Sequence, residues 1–185
     1  MRAAPSTADV RKPGRRRGFW RDNRGAAVEF ALVATPFFAL MFAIMETALV
    51  FFAAQVLETA VQDSARMILT GQAQGSNWTQ NQFKQNVCSH IVALFDCQNG
   101  IYLDVRKFSS FQNVQITNPV TNGAFNPNFT YDPGGPGDIV VVRLFYLWPV
   151  SIPSLGYNLS DVNGHLRLIS ATAAFRNEPF AASGS

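Results

Sequence analysis

From Phe30 to Ala54 the chain runs 25 residues with one ionisable group, Glu46. A helix needs roughly 20 apolar residues to cross a bilayer, so this run predicts a single membrane span. It is too long for a cleaved secretory signal, whose apolar core holds ~7–15 residues. The competing reading is the buried core helix of a soluble protein. Pro36 falls in the first third, where a membrane helix tolerates a kink. The pattern then changes without stopping. Val56, Leu57, Ala60, Val61, Ser64, Ala65, Ile68 and Leu69 recur at helical steps, with Gln55, Glu58, Thr59, Gln62, Asp63 and Arg66 between them. That periodicity predicts an amphipathic helix continuous with the span, ended at Gly71.

GQAQGSN (71–77) reads as a loop. Asn77, with Gln80 three residues on, predicts the cap of a second helix. Phe83, Val87, Ile91 and Leu94 or Phe95 would line its core face. After Cys97 the period becomes two. Ile101, Leu103 and Val105 alternate with Tyr102, Asp104 and Arg106, which predicts a strand. An Asn-, Pro- and Gly-rich stretch over about 118–137 reads as a long exposed loop, unusual in a compact domain and suited to contacting a partner. DIVVVRLFYLW (138–148) predicts a second strand, with Val140, Val142, Leu144, Tyr146 and Trp148 on one face. Arg143 interrupts the other face, and Pro149 and Pro153 end the run. LRLISATAAF (166–175) predicts a third strand, with Ile169, Ala171, Ala173 and Phe175 on one side. Two helices followed by three strands give an α+β fold: a long N-terminal transmembrane helix, its amphipathic extension, a short helix and a small antiparallel sheet. The expected segments are 1–24 as a basic, disordered leader, 25–55 as the transmembrane helix, 56–70 as its extension and 71–185 as an outer domain.

Charge sharpens the topology. The formal net charge is +3, but residues 1–24 hold eight arginines and lysines against Asp9 and Asp22, a local +6, which leaves −3 for the rest. Basic residues flanking a span stay on the cytoplasmic side. A basic tail can also bind nucleic acid. Here it abuts an apolar span, so it reads as an orientation signal and no nucleic-acid partner is expected. The outer domain then faces an oxidising compartment, where its two cysteines, Cys88 and Cys97, are expected to form a disulfide. On one straight helix they would lie ~13.5 Å apart, so the chain must turn between them. The sharper alternative is a metal held by Cys88, His90, Asp96 and Cys97, against which stands the absence of a second Cys-x-x-Cys pair. No metal or cofactor is expected.

Catalytic patterns are missing from the sequence. It contains no Gly-x-Ser-x-Gly, phosphate loop or His-Glu-x-x-His. His90 and His165 stand outside any motif, and Asp104 and Asp138 read as strand-edge polar groups. A non-enzymatic protein is expected.

RGAAVEFALV, at residues 24–33, resembles the N-terminal signature of the TadE-like family, pseudopilins of the bacterial tight adherence (Flp-type) pilus machinery. The resemblance continues through QVLETAVQDSARMILTGQAQ, LFDCQNGIYLDVRKF, GPGDIVVVRLFYLWPV and LISATAAFRNEPF. It implies an assembly component of the inner membrane, single pass, with a cytoplasmic N-terminus and a periplasmic domain. It implies cleavage by a prepilin peptidase after Gly25, leaving Ala26 first and Glu29 as the early acid. Other pilins or pseudopilins, inner-membrane platform proteins and membrane lipid are the implied partners. A carboxylate in lipid is costly, and pairing Glu29 with a neighbouring subunit's terminal ammonium would remove that cost and fix register. A helix-start carboxylate favoured by the helix dipole is the plainer reading of Glu29. The family spacing makes the glutamate fifth in the mature chain, whereas GAAVE makes Glu29 fourth. A chain that keeps its leader, as a single-pass envelope-anchored binding or sensor module outside any fibre, is therefore the alternative. Glu46 is expected deep in the span, facing another subunit or facing lipid as the neutral acid, with Ala43 and Thr47 allowing close helix approach.

Overall fold

The computed structural model describes residues 23–91, 95–151 and 158–180. Residues 1–22 of the expected leader (1–24), Leu94 and Pro153 lie outside them, and the leader's last two residues, Asn23 and Arg24, are helical rather than disordered. Helix α1 runs from Asn23 to Leu69, Pro36 included. It is long and apolar enough to cross a membrane. Gly71 follows it at φ +76°, the left-handed geometry that ends a helix and that glycine adopts without a Cβ penalty.

The chain divides into two units between Leu40 and Met41. In the first, α1 leaves Val28, Phe30, Leu32, Val33, Phe37 and Phe38 exposed. In the second, α1 is a core element. Val50, Ala53, Leu57, Ala60, Val61, Ala65 and Ile68 are buried along one face, and Ser64 is buried with them, donating to the Ala60 carbonyl (2.6 Å). Helical spacing of small and branched residues lets the sheet lie close against that face.

Three short helices follow: α2 (Gln72–Gly75), α3 (Gln80–His90) and α4 (Cys97–Gly100). The expected loop at 71–77 thus contains a helical turn. The start of α3 also differs from expectation. Thr79, not Asn77, is the cap: its hydroxyl accepts from the Gln82 N–H, and Gln82 Oε1 accepts from the Thr79 N–H (2.8 Å). This is a Thr-x-x-Gln capping box, while Asn77 sits at φ +50° in the preceding turn. Phe83 and Val87 are fully buried from α3.

The sheet consists of β1 (Ile101–Phe108), β4 (Ile139–Pro149) and β5 (Leu166–Arg176), all antiparallel, in the order β1-β4-β5. Being central, β4 is buried on both faces over Ile139–Phe145, which explains its unbroken apolar run. Its inward Val140, Val142 and Leu144 meet the α1 face together with Ile101, Leu103, Val105, Ile169, Ala171 and Ala173. Between β1 and β4, β2 (Val120–Thr121) and β3 (Ala124–Phe125) form a small hairpin. Its turn, Asn122-Gly123, has φ of +54° and +75°, the pair of positive values that a tight hairpin turn requires. The segment expected as an exposed loop therefore folds onto the sheet. Phe125 meets Tyr102 (4.9 Å between ring centroids) and Phe129 stacks on Phe145 (5.0 Å). Helix, sheet and hairpin segment make three layers.

Candidate functional site: the glutamates of the long helix and the domain they serve

Gly25, Ala26 and Glu29 are exposed on α1. A Cβ at Gly25 would meet no atom within 4 Å. Because α1 begins at Asn23, Glu29 is past the first turn in the intact chain, beyond the reach of the helix dipole. It has no hydrogen-bond or ion-pair partner among the described residues.

Glu46 is placed differently. Its carboxylate is buried in the second unit, and Oε1 accepts from the backbone N–H of Ser151 (2.5 Å), just beyond the end of β4. Phe42, Met45 and Leu49 of α1, with Trp148 and Pro149 of β4, line the hollow of about 250 Å³ around it. Thr47 donates its hydroxyl back to the Ala43 carbonyl (2.8 Å). Glu46 thus fastens the helix to the lower end of the sheet. The sequence offered no means of finding Ser151, which lies 105 residues away.

Cys88, at the end of α3, and Cys97, opening α4, form a disulfide with Cα atoms 5.7 Å apart. The chain turns between them, as their spacing requires, with the Asp96 carboxylate accepting from the Asn99 N–H (3.3 Å) to start α4. The sulfurs are consumed by this bond, so the Cys88, His90, Asp96 and Cys97 metal arrangement is not formed. His90 is exposed, its Nδ1 2.8 Å from the Asn86 carbonyl.

Asp104 is not the strand-edge polar group its sequence position suggested. It is fully buried, and the β1–β4 register places it directly opposite Arg143. Its Oδ2 accepts from Arg143 Nη2 (2.5 Å) and Nε (3.0 Å), and its Oδ1 from Arg106 Nε (2.9 Å) and the Thr130 N–H (3.0 Å). The arginines hold the hairpin segment in turn: Arg143 Nη1 donates to the Thr117 carbonyl (2.9 Å) and Arg106 Nη2 to the Asn128 carbonyl (2.8 Å). Burial opposes the charge of Asp104. The Thr130 hydrogen bond and the two arginines outweigh it and hold the carboxyl below its usual value. Asp138 closes a local turn, accepting from the Gly135 N–H (2.8 Å). Tyr131 lies tilted against Phe83 (5.6 Å between ring centroids) with its hydroxyl buried and unpartnered among the described residues, and burial raises that hydroxyl to about 12. These groups stabilise the fold; none forms a nucleophile–base pair.

No curated protein and no solved structure matches this chain. Residues 25–66, from the glycine of RGAAVE to the buried face of α1, match the family model described as TadE-like protein, the family whose N-terminal signature the sequence resembles.

Proposed function

We propose that this chain is a pseudopilin or minor pilin of a Tad-type (Flp-type) pilus and its secretion machinery: a non-enzymatic, membrane-anchored assembly component. The observation that carries the reading is the TadE-like match over residues 25–66 on a single helix that runs on into a disulfide-closed α+β unit. Prepilin peptidase cuts after Gly25. The new terminus, Ala26, then begins the helix, and Glu29 becomes its fourth residue, one turn from the new ammonium. Recognition of neighbouring pilins and of the inner-membrane platform is assigned to Glu29. Glu46 already has a partner within the chain. In this reading residues 1–24 lie in the cytoplasm and the sheet in the periplasm.

The test is complementation of a deletion strain with the wild-type chain and with Glu29→Ala, counting surface pili and assaying the protein in the membrane fraction. The expected result is a variant that inserts normally and supports no pili. Normal piliation by the inserted variant would refute the reading and favour an unprocessed envelope-anchored module.

A further inference from the structure

The sheet has two edges, and only one is closed. On β1, the Val105 N–H donates to the Thr130 carbonyl (2.8 Å), the Val105 carbonyl accepts from the Asp132 N–H (2.9 Å), and the Gln80 amide donates to the Leu103 carbonyl (3.2 Å). The first turns of β5 are closed too. The Leu166 carbonyl accepts from the Asp161 and Val162 N–H groups, and the Leu168 N–H donates to the Asp161 carboxylate (2.7 Å). These bonds fix the phase of the strand. In an antiparallel pair each residue turns both backbone groups the same way, alternating along the chain. Leu166 and Leu168 face away from β4, so Ser170, Thr172 and Ala174 do as well. Their N–H and C=O groups have no partner among the described residues.

Soluble proteins blunt such an edge with lysine, proline, a bulge or a covering segment. Here the exposed side chains of β5 are Ser170, Thr172, Ala174 and, at its end, Arg176, whose Nε donates to the Gly137 carbonyl. Beside this edge, the flank of α1 leaves two hollows. One, of about 440 Å³, lies between Val50, Phe51 and Ala54 of α1 and Arg167–Ser170 of β5. The other, of about 390 Å³, lies between Ala65, Arg66 and Leu69 and Thr172–Phe175. Their β5 linings are centred about five strand residues apart, or ~16 Å, so side chains four or six residues apart on one face of an added strand reach both. Arg167 lines the first hollow and Arg66 the second, and no carboxylate lines either.

We infer that residues 170–174 of β5 form a strand-acceptor site: an extended segment of a different polypeptide adds to the sheet here. Its apolar side chains, four or six residues apart and so on one face, fill the two hollows, and its flanking carboxylates meet Arg167 and Arg66. Backbone pairing supplies the affinity and the hollows supply the selection. A second copy paired antiparallel through β5 does not fit. The hollows show β5 running in the same direction as α1, from residues 47–54 beside 167–170 to 62–69 beside 172–175. Antiparallel self-pairing of β5 would set two α1 helices head to tail, which, resting on the proposed reading of α1 as a membrane span, chains inserted alike in one membrane cannot adopt.

The test uses the full chain in detergent micelles and a pool of fluorescent peptides of about nine residues, with apolar residues at positions three and seven or at two and eight, and glutamate at both ends. Anisotropy reads binding. Two variants report the edge: Thr172→Pro, which removes an outward N–H and is tolerated on an edge strand, and Ser170→Lys. The expected result is binding by members of the pool, weakened about tenfold or more by either variant, with an unchanged urea midpoint. Backbone N-methylation of a binding peptide should abolish its binding. Binding by no member of the pool, or equal binding by wild type and both variants, would overturn the inference. So would peptide-free dimerisation that Thr172→Pro abolishes, because the edge would then serve a second copy.

Discussion

Replacing Asp104 with asparagine preserves shape and removes one charge. Arg143, with its side chain 6% exposed, would keep a guanidinium facing a neutral amide. Asparagine can accept through only one oxygen, and its amide nitrogen would oppose the Arg143 or Arg106 donors. Stripping one partner from a buried ion pair costs about 3–5 kcal/mol, against a total stability of about 5–15 kcal/mol for a domain. With a urea slope of about 2 kcal/mol per molar, the midpoint of the full chain in micelles should fall by about 1.5–2.5 M, followed through Trp78 and Trp148 fluorescence. The pH dependence has a defined sign. The Asp104 carboxyl lies below its usual value in the folded state. Its contribution is therefore complete above the unfolded value of about 3.9 and is lost as pH falls below that, through the folded value. Wild-type stability should decline over that acid range more steeply than that of Asp104→Asn. Asp104→Leu with Arg143→Leu should lose less than Asp104→Asn alone, since no unpaired charge remains. A midpoint shift under about 0.5 M, or parallel acid profiles, would refute the view of Asp104 as the buried hub of the sheet.

Three further outcomes are expected. Cys88→Ser with Cys97→Ser opens a loop whose ends are nine residues apart; chain entropy puts the loss at about 2.6 kcal/mol, and the urea midpoint of the variant should no longer respond to reductant. Gly71→Ala forces a side chain into φ +76° with its Cβ against the Phe180 ring; destabilisation of at least about 1–2 kcal/mol is expected, and adding Phe180→Ala should recover only the part due to the clash. Tyr131 is raised to about 12 by burial, so its contribution is complete below the unfolded value of about 10 and lost as pH rises towards 12. Tyr131→Phe should flatten that alkaline decline in thermal melts and leave stability at pH 7 equal or higher.

The elements with strong periodicity were legible in the sequence. The face of α1 beyond Val56 and strands β1 and β5 follow from helical and alternating spacing, because one side of each meets the core, and β4 follows from its apolar run, because both its faces are buried. Residues 41–55 were not separable from the membrane run. Lipid and a protein core both select apolar side chains, so hydropathy gives no sign that Val50 and Ala53 turn to the sheet while Phe51 and Phe52 do not. Glu46 was visible as an anomaly, but its bond to Ser151 depends on tertiary placement. Asp104 and Arg143 are 39 residues apart, and only the strand register sets them opposite each other. Two local signals were present and outweighed by composition: Thr79-x-x-Gln82, displaced by the more obvious Asn77, and Asn122-Gly123, hidden in a stretch whose Asn, Pro and Gly content read as loop. The open edge of β5 follows from sheet order and hydrogen-bond phase, neither of which a single strand pattern carries.

The most direct test of the account is the intact mass of the membrane-extracted protein, produced with and without its cognate prepilin peptidase. The account predicts loss of residues 1–25 only when the peptidase is present, leaving Ala26 as the first residue and Glu29 one turn behind it. A full-length mass in both preparations would contradict it. The basic segment would then be a permanent cytoplasmic anchor, and the chain a single-pass envelope module outside the fibre.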